Sequence, residues 1–140
     1  MNSRAFIDDV AKRLCCDGQR AEGVIVAVFQ TLRDRLTSKE AADVAAQMPA
    51  DLRHFWTDNE RDARGVEKLH RDEFIGRVRS FADLPDDAEA ERAVRAVFAV
   101  LQVALDSPSG TRGEAWDVFS QLPKDMKVLW LAAAQEGHRG

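Results

Sequence analysis

EAADVAAQMPADLRHFW, residues Glu40–Trp56, and EAWDVFSQLPKDMKVLW, residues Glu114–Trp130, align without a gap and are identical at eight of 17 positions. Unrelated stretches of that length share roughly one. The likeness continues upstream, where AVFQTLRDRL at Ala27–Leu36 lines up with AVFAVLQVAL at Ala96–Leu105, and Phe6, Ile7 and Val10 line up with Phe74, Ile75 and Val78. Phe6 thus pairs with Phe74, Ala27 with Ala96 and Glu40 with Glu114, each block ungapped within itself. The register slips only across turn-like sequence between blocks, with the largest step in DSPSGTRG at Asp106–Gly113. An insertion confined to turn residues favours a duplicated unit over chance resemblance between helices.

Within each unit the apolar spacing is helical. Phe6, Ile7, Val10, Ala11 and Leu14 recur on one face of a first helix, and Asp17-Gly18 reads as its stop. A second helix, about Gln19 to Leu36, is apolar almost all round through Gly23–Phe29. Its counterpart over Ala93–Leu105 is interrupted only by Arg95 and Gln102, and helices of that kind belong at the centre of a bundle. A third helix opens in both units with a capping box, Thr37-Ser38-Lys39-Glu40 and Thr111-Arg112-Gly113-Glu114. It ends at Gln47-Met48-Pro49 and Gln121-Leu122-Pro123, because proline lacks the N–H that a helix interior needs. Pro49 and Pro123 are then expected to start a short fourth helix. Asp51 and Asp125 fall in its first turn, at the positive end of its dipole.

The fold expected is all-α, a tandem repeat of two three-to-four-helix units packed into one helical bundle. Residues 1–56 form the first repeat, 57–69 a polar linker over the surface, and 70–140 the second repeat. A unit of roughly 60 residues buries too little surface to be secure alone, so both are expected in one compact domain. The units differ in bulk and polarity. Ala42 and Ala45 correspond to Trp116 and Phe119, a pair expected to fill space between the repeats, and Arg33, Asp34 and Arg35 correspond to Gln102, Val103 and Ala104. A solvated face in the first unit thus becomes largely apolar in the second, and Val103 and Ala104 are candidate contact positions for a partner or for self-association.

The paired A-V-x-x-x-L-R-D-R-L element, the E-A-x-D-V-A-A-Q-[ML]-P-x-x-L-R element and the second F-I-x-x-V opening together resemble the bacterial family catalogued as domain of unknown function 2267, over roughly Phe6 to Trp130. That resemblance implies a helical fold and a small cytoplasmic protein, thought of as stress-associated. It assigns no activity. The second unit departs from the R-D-R-L element, having Gln102-Val103-Ala104-Leu105 in its place.

Composition narrows the function further. The 20 basic and 24 acidic side chains give a formal charge of −4. Basic clusters such as Arg61-Asp62-Ala63-Arg64 are interleaved with acids, so the localised cationic excess that nucleic-acid binding requires is missing and no nucleic-acid partner is expected. The longest apolar runs, Val24–Phe29, Ala96–Leu101 and Val128–Ala134, fall far short of the roughly 20 residues that cross a bilayer. Asp8 and Asp9 stand where a signal peptide would be apolar, and the expected location is cytoplasmic.

No catalytic motif emerges, no cofactor is implied, and the chain leans away from being an enzyme. His54, His70 and His138 include no i, i+4 pair of metal ligands. His70-Arg71-Asp72-Glu73 reads as the polar start of the helix that opens the second unit. Cys15 and Cys16 are adjacent and so poorly placed for a mutual disulfide. Cys15 is expected on the buried stripe beside Leu14, with Cys16 at its edge. Three readings stay open. The first is a non-catalytic interaction or self-associating module, the second a small-ligand binder or enzyme using a cleft between the repeats walled by Trp56, Trp116 and Trp130, and the third a thiol redox sensor using Cys15 and Cys16.

Overall fold

The structure is a computed structural model that describes residues 2–36, 38–48, 50–57, 70–105 and 124–137. Among these residues are seven helices and no strand. They are α1 (Ser3–Leu14), α2 (Gly18–Arg35), α3 (Ser38–Gln47), α4 (Arg53–Thr57), α5 (Arg71–Ala82), α6 (Asp87–Leu105) and α7 (Lys124–Gly137). The all-α expectation holds.

Local chemistry fixes where the first helices begin and end. Asn2 caps α1, its side-chain oxygen accepting the Ala5 N–H at 2.8 Å. The helix ends at Cys15, which has left-handed backbone angles of φ 54° and ψ 47°. There the Cys16 N–H reaches the Ala11 carbonyl at 3.0 Å and the Cys15 N–H reaches the Lys12 carbonyl at 3.3 Å, the paired bonds of a Schellman end. The end of α5 repeats this arrangement at the position that pairs with Cys15. Asp83 has φ 54° and ψ 53°, and the Leu84 and Asp83 N–H groups reach the Arg79 and Ser80 carbonyls at 2.9 and 3.4 Å.

Asp17-Gly18 is therefore not the stop of α1. The Asp17 side chain caps the next helix, accepting the Arg20 N–H at 2.8 Å, as Asp86 accepts the Glu89 N–H at 2.8 Å before α6. Cys15 also departs from expectation. It lies one residue past the helix and is exposed, whereas Cys16 is half-buried against the core. The left-handed turn rotates Cys15 off the stripe that Leu14 would have continued.

The two central helices behave as their all-round apolarity requires. Val24, Ile25, Val28, Phe29 and Leu32 of α2 and Val94, Val97, Phe98, Val100 and Leu101 of α6 are buried in one cluster that also takes in α1, α5 and α7. The packing is crossed between the halves of the chain, since α1 lies against α2 and α6 while α5 lies against α6 and α2. Helix α4 packs on α2 and on α3, and α7 packs on α6. Arginines tie the halves at their corners. Arg20 Nη2 donates to the Asp83 carbonyl at 2.9 Å and Arg92 Nη2 to the Arg13 carbonyl at 3.4 Å, each satisfying a carbonyl at a helix end in the other half.

Two aromatic triads sit inside this core. Phe29 is met by Phe6 at 5.9 Å and 66° and by Trp56 at 5.5 Å and 67°. Phe98 is met by Phe74 at 6.2 Å and 55° and by Trp130 at 5.3 Å and 65°. Steeply inclined rings place a positive edge on a negative face, the preferred aromatic geometry. The sequence alignment pairs Phe6 with Phe74, Phe29 with Phe98 and Trp56 with Trp130, so the paired residues have like neighbours.

Three further expectations change. Helix α4 starts at Arg53 after a turn at 50–52, so Asp51 is outside its first turn. Asp51 instead serves α1, its Oδ2 accepting the Ser3 N–H at 2.6 Å. Arg33, Asp34 and Arg35 are half-buried rather than a solvated face, because Asp34 pairs with Arg77 of α5 at 3.4 Å and the Arg33 guanidinium lies over the Trp56 ring. Thr57 closes α4 instead of opening a linker. Residues 58–69 of that linker, Thr37, Pro49, Pro123, the third helix expected from Thr111 to Leu122, and with it Trp116 and Phe119, lie outside the described residues.

Candidate functional site

Trp56 and Trp130 close equivalent stretches of sequence, and both are only 1% exposed. Trp56 is anchored through its indole N–H, which donates to the Ala41 carbonyl at 2.9 Å. Neither ring is presented to solvent, so of the three tryptophans expected to wall a cleft these two are core, and Trp116 lies outside the described residues. Among the described residues their surroundings differ at the paired positions of Arg33 and Gln102. Arg33 holds its guanidinium carbon 5.9 Å from the Trp56 ring centroid, within cation–π range. Gln102, its counterpart in the second half, is buried and donates from Nε2 to the Trp130 carbonyl at 2.7 Å.

The signature arginine after Pro-x-x-Leu also has a structural task. Arg53 donates from Nε to the Ala45 carbonyl at 2.8 Å and from Nη2 to the Met48 carbonyl at 3.3 Å. It therefore adds a donor to carbonyls at the end of α3, where the Ala45 carbonyl also accepts the Met48 N–H at 3.2 Å.

Val103 stands 45% exposed on α6, and Ala104 beside it is half-buried against the core. Two more exposed apolar side chains lie on α7, Val128 at 59% and Leu131 at 56%. Spaced i, i+3, they share one side of that helix. Leu129, Trp130 and Ala133 are buried. Helices α6 and α7 pack together, and the Gln102–Trp130 bond joins the residues immediately before Val103 and Leu131. In the aligned registers the first-half counterparts of Val103, Val128 and Leu131 are Asp34, His54 and Thr57, all polar. Val103 is visible from sequence alone, whereas Val128 and Leu131 are hidden there inside one apolar run. Comparison with His54 and Thr57 is the signal that singles them out.

Two open depressions lie elsewhere. One, of about 320 Å³, is lined by Asp17, Gln19, Arg20, Gly23 and Ala82 where the start of α2 meets the end of α5. Its charged groups already serve the fold, Asp17 as a cap and Arg20 as the tie to Asp83. The other, of about 130 Å³, lies between the starts of α5 and α6 and includes Arg71, Asp72, Asp87 and Glu91. Its acids are paired, with Arg71 bridging Asp72 and Glu91 and Arg79 reaching Asp87 at 3.1 Å. Among the described residues no group of three or more His, Cys, Asp or Glu side chains is arranged to hold a metal ion.

The cysteines are unlike each other. Burial pushes the Cys16 thiol above its ordinary pKa, and the neighbouring Asp17 carboxylate adds to this, while Arg20 and Arg92 act the other way. A raised pKa leaves less thiolate, the form that reacts. Cys15 is exposed, its sulfur 3.8 Å from the Lys12 carbonyl oxygen.

Among the described residues no helix is long and apolar enough to cross a membrane. No curated protein matches the chain. A family model does, that of an uncharacterized conserved protein, DUF2267, and it matches residues 3–129. The match takes in both aromatic triads apart from Trp130, together with both left-handed helix ends, and the chain belongs to the DUF2267 family.

Proposed function

We propose that this protein is a non-catalytic helical module, built from two copies of one unit, that associates with a second copy of itself through the outer side of α6 and α7. The observation that carries the reading is the apolar character of Val103, Val128 and Leu131 at positions whose counterparts are Asp34, His54 and Thr57. The fold does not require apolar groups there, since the corresponding places in the first half are filled by polar ones. Half-exposed branched side chains gain stability only when something removes them from water, at roughly 25 cal/mol per Å² covered.

The test is sedimentation velocity of the full chain over a wide concentration range, comparing wild type with the double variant Val128→Asp, Leu131→Asp. Association that tightens with concentration and is lost in the variant, with the melting temperature little changed, is the expected result. A wild-type chain that stays monomeric throughout, or a variant that associates equally well, overturns the proposal. Substitutions at exposed positions away from the core usually shift stability by no more than about 0.5 kcal/mol, so loss of association is separable from loss of fold.

A further inference from the structure

We draw no further inference here: the strongest candidate, the open groove of about 320 Å³ where the start of α2 meets the end of α5, is a helix N-terminus whose Asp17 and Arg20 already bond backbone groups of the fold, and no second observation in it points to a ligand.

Discussion

Gly23→Ala and Cys15→Gly are expected to raise stability together, although one removes a glycine and the other introduces one. Gly23 lies inside α2, and a Cβ built on it meets nothing within 4 Å. Alanine there loses no contact and escapes the glycine penalty of a helix interior, a gain of about 0.8–1 kcal/mol. At Cys15 the backbone is left-handed, with φ 54°, a conformation that costs a residue bearing a Cβ roughly 1–2 kcal/mol. Glycine removes that cost but gives the unfolded chain more freedom, worth about 0.5–1 kcal/mol in the opposite direction, so the net gain is about 0.5–1 kcal/mol. The side chain removed is exposed, and nothing in the core is lost with it. If the two sites are independent, the double variant gains about 1.3–2 kcal/mol.

Urea unfolding followed by circular dichroism reads these values directly. The midpoint should rise in each single variant with the slope unchanged, the sign that stability has altered and the compactness of the unfolded chain has not. In a chain of this size each kcal/mol corresponds to roughly 3–5 °C in Tm. A fall in stability for Gly23→Ala would mean that the α2 surface is covered there. A fall for Cys15→Gly, with Cys15→Ala neutral, would mean that the α1 end is not left-handed, and the reasoning about that corner would fail.

The paired aromatic triads predict matched losses. Phe29→Ala and Phe98→Ala should each cost about 3–5 kcal/mol, and calorimetry giving a full cost at one site and almost none at the other would refute their equivalence. Asp51 predicts an acid dependence, because the Ser3 N–H holds its carboxyl below the ordinary carboxylate range, with the Ser3 hydroxyl adding to the effect. A lowered folded pKa contributes stability above the unfolded value of about 3.9 and loses it as pH falls through the folded one. The advantage of wild type over Asp51→Ala should therefore be present near neutrality and vanish in acid, and an advantage that grows in acid contradicts it. For the thiols, mass-mapped alkylation of the native protein should label Cys15 first, with Cys16 reacting only at higher pH or on unfolding; equal rates at neutral pH would contradict the burial of Cys16.

The helical faces are legible in the sequence because they depend on spacing alone. Phe6, Val10, Phe74 and Val78 are buried where a 3.6-residue period puts them, and α2 and α6 are central because no side of their apolar stretches suits water. The departures share another physical origin, in that each depends on a partner or a backbone angle that the local sequence does not encode. Asp17-Gly18 carries both stop and cap chemistry, and only the left-handed turn two residues earlier decides between them. Nothing about a cysteine announces a left-handed backbone, so the apolar stripe reads on into Cys15 although the helix has already ended. Asp51 reads locally as a dipole acid, yet the N–H it serves belongs to Ser3, far away along the chain. Arg33-Asp34-Arg35 has the composition of a solvated face until Arg77 and Trp56, both distant in sequence, are brought against it.

Those distant partners also mark where the halves differ around their two aromatic triads. With Trp56 below it, Arg33 gains from the ring face, and its neighbour Asp34 is held by Arg77, so a charged strip can be half-buried without leaving its carboxylate unpaired. The first-half counterpart of Arg77 is Asp9, which pairs with Arg13 on its own helix at 3.0 Å. The residue aligned with Arg77 is thus an acid already paired with Arg13, and the residue aligned with Asp34 is the uncharged Val103. Gln102 can anchor Trp130 with a neutral amide, because one hydrogen bond to a carbonyl needs no compensating charge. Where the first half has the charged Arg33-Asp34, the second has the neutral Gln102-Val103. The neutral pair leaves Val103 exposed beside the exposed Val128 and Leu131 of the packed helix α7, and covering these apolar groups is what the proposed self-association would do.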